Sequence, residues 1–334
     1  MKQVTATVGL LTVIISVLLT AFAWPAVRST VHDVPIAVAG PAPAVQQVTA
    51  ALEQRLPGAF DVTAVAGTAD AERLIRDRQA YGAIDLTSGT PRVITASAAS
   101  APIAQTIQAL GAGLTQGHEQ GAAPATAVRD LVALPADDPR GAGLAAGALP
   151  LVLGGIMAAA ILTLRVRGIA RRVAGALAFA VTGGLAMAAI LQFWLGSLSG
   201  GYLLNASAIG LGIAATSLTL LGLESLFGMA GLGLGAALMM LLGNPLSGVT
   251  TAPEMLPGWS GALGQLLPPG AGGSLLRSTA FFDGAAAGRP VVVLLSWLAF
   301  GVLLCAASAL RARRRPAAPS PTGPAPRAAT TAAA

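Results

Sequence analysis

The sequence predicts an all-α transmembrane bundle of six helices. A small α/β extracytoplasmic domain is inserted between helices 1 and 2, and a re-entrant double half-helix precedes helix 6. Three observations lead there. Of 334 residues, 54% are hydrophobic and only 10% charged, whereas a soluble domain carries about 25% charged residues. Six apolar runs recur along the chain, and about 20 apolar residues cross a hydrocarbon core of roughly 30 Å. The arginines are concentrated beside those runs. Glycine is abundant (41) and aromatics are few (4%), which suits closely packed helices better than an outer-membrane barrel.

Residues 4–27 form the first run, with Lys2 before it and Trp24-Pro25 near its end. A retained helix (1–27) and a cleaved signal peptide both fit, since Ala21-Phe22-Ala23 has the small-x-small form of a cleavage site. The run continues past that site, which favours retention. Either way, the next segment lies outside the cytoplasm. Residues 28–143 have the one globular composition. Residues 34–39 (VPIAVA) read as a buried strand, and 42–56 as an amphipathic helix with Val45, Val48, Leu52 and Leu56 near helical spacing. Residues 60–65 alternate as a strand. Thr68 is expected to cap a helix running to Gln79, with Asp70 and Glu72 favourable in its first turn. Residues 81–86 and 92–96 read as strands paired across the turn Ser88-Gly89-Thr90-Pro91, and 102–114 as a helix. The order βαβαββα implies a small α/β sandwich with a partly parallel sheet. Residues 117–140 are rich in Gly, Ala, Pro and Asp and read as a connector.

The remaining runs are 144–164, 173–195, 202–223, 227–242 and 291–310, so a five-helix transmembrane domain covers 144–312. Residues 313–334, rich in Pro, Ala, Ser and Thr after the arginines, read as a disordered cytoplasmic tail. The net charge of +6 is misleading as a whole: residues 28–143 hold eight Arg against eleven Asp/Glu. The basic excess sits at Arg165, Arg167, Arg171 and Arg172 and at Arg311 to Arg315, directly beside spans. That is a topology signal rather than a nucleic-acid surface. It places both termini in the cytoplasm of a multi-pass plasma (inner) membrane protein, with residues 28–143 extracytoplasmic.

Residues 244–289 form the most irregular stretch. Prolines at 245, 253, 257, 268, 269 and 290 forbid one straight helix. The large apolar residues between them suit two short helices, 253–267 and 270–282, at the outer membrane surface. Broken backbone at membrane depth needs protein or a water-filled cavity to satisfy it.

Other motifs mostly exclude functions. No Gly-x-x-x-x-Gly-Lys-Ser/Thr loop occurs and Lys2 is the only lysine, so the chain is not a P-loop ATPase. No nucleophile–base pair, metal set or paired catalytic carboxylates stands out, and no cofactor is implied. His118-Glu119 and Asp137-Asp138 read as solvated loop pairs, and Cys305 as a small buried hydrophobe. Gly231 and Gly235, and Gly143 and Gly147, have the spacing of close helix packing. Gln192, Asn205, Thr216, Ser217 and Thr219 lie at membrane depth, where polar groups either bond between helices or line a path.

Two passages carry a family resemblance. One is NPLSGVTTAPEMLPGWSGALGQLLPPGAGGSLLRSTAFFDG, with Asn244-Pro245, then Pro253, Leu256, Pro257 and Gly258, then Pro268, Pro269 and Gly270, and finally Arg277. The other is ADAERLIRDRQAYGAIDL followed by PRVITASAAS. Together with the six-span layout they resemble type-2 ABC exporter permeases related to the YhgE/Pip (phage infection protein) group, over about residues 1–312. The resemblance implies a bacterial cell-membrane permease, homodimeric or heterodimeric. It would move a lipid-like, drug-like or polymeric substrate outward with a separate cytoplasmic ATPase. Residues 244–289 would close the exit, the loop from Arg165 to Arg172 would meet the ATPase, and Gln192, Asn205, Thr216 and Ser217 would line the path. The chain departs from the family pattern in its short cytoplasmic loops and in lacking an amphipathic helix before the first span. A second class of function stays open: an envelope receptor or assembly scaffold whose extracytoplasmic domain binds a partner without transport.

Overall fold

A computed structural model describes residues 1–115 and 127–314; the His118-Glu119 pair and the tail beyond 314 lie outside the described residues. The first apolar run is one helix, α1 (Lys2–Val27), of which only Pro25 is buried. It stands beside the other helices rather than among them.

Short runs of β-branched and small apolar residues then build a five-stranded mixed sheet. Its strands are β1 (Val34–Ala39), β2 (Phe60–Val65), β3 (Gly82–Asp85), β4 (Arg92–Thr95) and β5 (Val128–Asp130), in the order β2-β1-β3-β4-β5. β1 is parallel to both neighbours, β3 and β4 are antiparallel, and β4 and β5 are parallel. Three helices intervene: α2 (Ala42–Arg55), α3 (Thr68–Arg76) and α4 (Ala101–Thr115). Val45 and Leu52 of α2 and Ile103 and Ile107 of α4 pack with Val34, Ile36 and Val38 on one face. Ala71 and Ile75 of α3 pack with Ala37, Ala39 and Ala83 on the other. The first four strands and three helices fall where the sequence places them, to within a few residues. β5 was not anticipated. Thr68 is not the N-cap of α3 either; Gly67 is, and the Thr68 hydroxyl instead donates to Asp85 at 2.8 Å.

The rest of the chain is helical: α5 (Ala142–Arg165), α6 (Ile169–Ala189) with a π turn (Ile190–Trp194), and α7 (Tyr202–Phe227). After these come α8 (Met229–Ala237) with a π turn (Leu238–Gly243), a 3-10 turn (Pro253–Met255), α9 (Ser260–Gln265), α10 (Pro268–Phe281) and α11 (Gly288–Arg313). A helix that is apolar all round belongs inside a bundle. α7 is the axis here: 78% of its apolar window is buried, against 33% at most elsewhere. Close approach is set by small residues. A Cβ on Gly222 would meet the Gly301 carbonyl of α11, and one on Gly210 the Ala180 carbonyl of α6. Gly231 and Gly235 pack against Leu223 and Leu220.

Among the described residues, five helices are long and apolar enough to cross a membrane: α1, α5, α6 with its π turn, α7 and α11. The run expected as the fifth of six spans is shorter. Gly228, at φ 65° and ψ −151°, ends α7 and restarts the chain. α8 and its π turn then total nine and six residues, about 22 Å at the ~1.5 Å helical rise. Asn244-Pro245 closes it, level with the middle of α7: Asn244 shares a small cavity lining with Gly212 and Thr216.

Candidate functional site between the sheet and the broken segment

The stretch after α8 folds back on itself, and of the two expected half-helices the second forms in full as α10 while the first forms only in part. Pro253, Pro257 and Gly258 leave the first half as turns and one six-residue helix, because a residue preceding proline is driven from helical backbone and Gly258 is left-handed (φ 54°). The second half is helical from Pro268 onward. Pro268 and Pro269 start α10 rather than break a helix, since first-turn N–H groups have no partner to lose.

Three glycines allow the layers to touch. A Cβ on Gly261 would overlap the Pro253 carbonyl, one on Gly264 the Leu246 carbonyl, and one on Gly270 the Gly264 carbonyl. Gln265 fastens the same layers: its Nε2 donates to the Ser247 carbonyl at 2.8 Å and its Oε1 accepts from Ser274 Oγ at 2.6 Å. Arg277 Nη2 donates to the Val249 carbonyl at 2.7 Å. The fold is tied to the bundle by Thr279 Oγ1 donating to Asn205 (2.9 Å) and Trp297 Nε1 donating to the Leu266 carbonyl (2.7 Å).

It is also wedged into the sheet unit from both sides. Ala252 and Met255 join the core on one face of the sheet, and Phe282 joins the core on the other. The linker after α1 is held too, as Ser29 Oγ and Thr30 N both donate to the Met255 carbonyl.

Between sheet unit and broken segment lies a cleft of about 470 Å³ lined by, among others, His32, Asp33, Arg78, Tyr81, Glu254 and Arg289. Arg78 caps the end of α3 in left-handed conformation (φ 59°). Glycine usually takes that place because a side chain there is strained. The arginine is held all the same: Nη1 donates to the Ser274 carbonyl (3.0 Å) and to Ser278 Oγ (2.5 Å), and its guanidinium lies 5.4 Å over the Phe282 ring. Tyr81 Oη donates to Glu254 Oε2 at 2.6 Å. Burial, and then the Glu254 carboxylate, push the Tyr81 phenol well above its ordinary range, so it stays a donor. Burial and the nearby Arg78 charge bring Arg277 down to about 10, and burial also lowers Arg78. Among the described residues none of Arg78, Arg277 and Arg289 has a carboxylate within salt-bridge distance, and the buried Arg277 Nε has no partner. Also among the described residues, no three His, Cys, Asp or Glu side chains come together. The cleft is equipped to bind: Arg78 and Arg289 line it beside Asp33 and Glu254, and neither arginine is ion-paired among the described residues.

The other sequence-predicted residues are placed as follows. Asn244, Pro245, Pro253, Leu256, Pro257, Gly258, Pro268, Pro269, Gly270 and Arg277 all belong to the folded-back segment, and of these only Pro253 and Gly258 line the cleft. Arg165, Arg167 and Arg171 are exposed at the far end of the bundle. Arg172 is occupied: it pairs with Glu224 at 2.8 Å and donates to the Val166 and Thr163 carbonyls. Gln192 Oε1 accepts from Asn205 Nδ2 (3.1 Å), making an interhelical chain that continues to Thr279. Ser217 bonds within its own helix to the Ile213 carbonyl. Thr216 lines a cavity of about 30 Å³, room for a single water. Sequence reasoning missed Arg78, Tyr81, Glu254 and Arg289 as a group. One local signal pointed at Arg78: an arginine where the end of α3 calls for glycine.

No family model, curated protein or solved structure matches the chain, so what the cleft does is argued from its own residues.

Proposed function

We propose that this chain is the permease-like subunit of an ABC export system, moving a lipid-like, drug-like or polymeric substrate outward while a separate cytoplasmic ATPase supplies the energy. One observation carries the reading: residues 244–282 close one end of the helix bundle and are wedged between it and the sheet unit. A segment held from both sides is placed to pass a change in the bundle to the sheet unit.

In this reading the sheet end faces outward and the arginines at 165–172 and 311–315 face the cytoplasm, as charge beside spans dictates. Six crossings are completed by α8 and its π turn, which rise from the cytoplasmic end, with the folded-back segment filling the remaining depth. The path runs between two permease copies, since α7 is enclosed within one. α1 leaves an apolar groove of about 450 Å³ against α5 and α8, which is room for helices to repack in a dimer. Exposed Arg165, Arg167 and Arg171 meet the ATPase, whereas Arg172 holds the turn through Glu224.

The test is co-expression with candidate ABC ATPases from the same genome, followed by purification in mild detergent. The two should elute together, and Arg165→Glu/Arg167→Glu/Arg171→Glu should lose the ATPase while the permease elutes unchanged. Failure of any ATPase to accompany the wild-type chain sinks the reading. The polar-lined cleft favours a second reading, an envelope receptor or scaffold, under which the triple reversal leaves function intact.

A further inference from the structure

We infer that the cleft between the sheet unit and the broken segment is a binding site for a phosphate-ester anion, presented by a lipid headgroup at the outer surface of the membrane. Two arginines line it. Arg78 spends only Nη1 on the protein and keeps Nε and Nη2 without hydrogen bonds among the described residues. Arg289 is exposed and makes no ion pair among them. Planar guanidinium groups with unused donors are the side chains best matched to phosphate oxygens.

Three details argue that these charges are kept for a ligand. Arg289 sits in the first turn of α11, where the helix end is already positive and a cation is unfavourable unless an anion joins it. Arg78 occupies a left-handed position that a glycine would fill without strain. Arg277 lies buried behind them with one donor unused. Asp33 and Glu254 also line the cleft and equal its two lining arginines in number, but among the described residues neither is ion-paired to them and Glu254 is engaged by Tyr81, so the free donors of Arg78 and Arg289 stay open to a ligand. The remaining lining suits a headgroup: Gln265, Ser274 and Tyr81 offer polar atoms, and Pro253, Ala262 and Pro290 offer apolar walls. At about 470 Å³, the volume falls within the range of small-ligand pockets, roughly 300–1,000 Å³. Pro290 and Arg289 begin α11, one of the five span-length helices, so a ligand in the cleft lies at the mouth of the hydrocarbon layer.

This rests on the outward-facing topology proposed above for the ligand's source, but not on any ATPase. The full chain in dodecyl maltoside is titrated with phosphatidylglycerol and with phosphatidylcholine of identical tails, each carrying a fluorescent tail label. Phosphatidylglycerol should bind more tightly. Arg289→Gln removes no internal contact and should weaken that binding about tenfold, the usual worth of a charged hydrogen bond. Arg78→Gln should do the same, whereas Arg55→Gln, an exposed arginine outside the cleft lining, should change nothing. Inorganic phosphate is the second probe. If it displaces phosphatidylglycerol, free phosphate is a source of the anion too; if it does not, the headgroup with its tails is the ligand. Equal binding of the two lipids, full affinity in Arg289→Gln, or equal loss in Arg55→Gln would overturn the site. Loss of the co-purified ATPase alone would overturn the export reading and leave the site standing.

Discussion

Gly264→Ala should unseat the folded-back segment and cost the protein at least about 2 kcal/mol, at the upper end of overpacking penalties. The added methyl would lie on the Leu246 carbonyl. Backbone, unlike the end of a side chain, cannot swing aside. Gly264 is pinned from its other side as well, because its own carbonyl faces Gly270. The internal control is Gly272→Ala, one turn into α10, where a Cβ meets nothing within 4 Å. That change should be neutral or stabilise by roughly 0.5–1 kcal/mol, since alanine loses less backbone freedom than glycine in a helix. Thermal unfolding of the full chain in detergent reads both. Opposite signs from two Gly→Ala changes eight residues apart would locate the rigid contact; equal small shifts would mean the layers are not packed as described.

Glu254→Leu should be the other costly change. It takes the acceptor from the half-buried Tyr81 hydroxyl and removes a negative charge that acts on Arg78 and Arg277. Breaking one side of a charged, part-buried hydrogen bond costs about 2–3 kcal/mol. Replacing both sides by apolar groups costs much less, so Glu254→Leu with Tyr81→Phe should recover more than half of the loss. The four-member mutant cycle measures this directly. Additive losses would mean that the two residues are not coupled and that this hydrogen bond does not join the sheet unit to the broken segment.

What was legible in the sequence was what depends on neighbours. VPIAVA and the alternating 60–65 announce β1 and β2 because strand and helix periods show within a few residues, and the long spans show for the same reason. β5 was not legible. It is three exposed residues in a Gly-, Ala- and Pro-rich connector, held by pairing with β4 and by distant side-chain bonds from Ser97 to Asp130 and from Arg129 to Glu72. The first half of the broken segment was misread because Met255, Leu256, Trp259 and Leu263 imitate helical spacing, while the prolines and glycines among them set the backbone instead. The fifth of the six expected spans, 227–242, falls within two residues of its expected bounds, but its two pieces total nine and six residues, below span length. Pairs far apart in sequence left no local trace: Arg172 with Glu224 across 52 residues, and Tyr81 with Glu254 across 173. The polar residues Gln192 and Asn205 could be seen to need partners, but that Thr279 of α10 completes their chain required the fold.

The central claim is that the broken segment closes the outward end of a membrane bundle while the arginine-rich turns face the cytoplasm. Cysteine accessibility tests it in one experiment. In a Cys305→Ala background, Trp259→Cys places a thiol at the tip of the segment, where the native side chain is 73% exposed, and Arg167→Cys places one in the basic turn between α5 and α6. A membrane-impermeant maleimide added to intact cells should label position 259 at once and position 167 only after permeabilisation. Labelling of 167 in intact cells, or protection of 259 until permeabilisation, would contradict the claim.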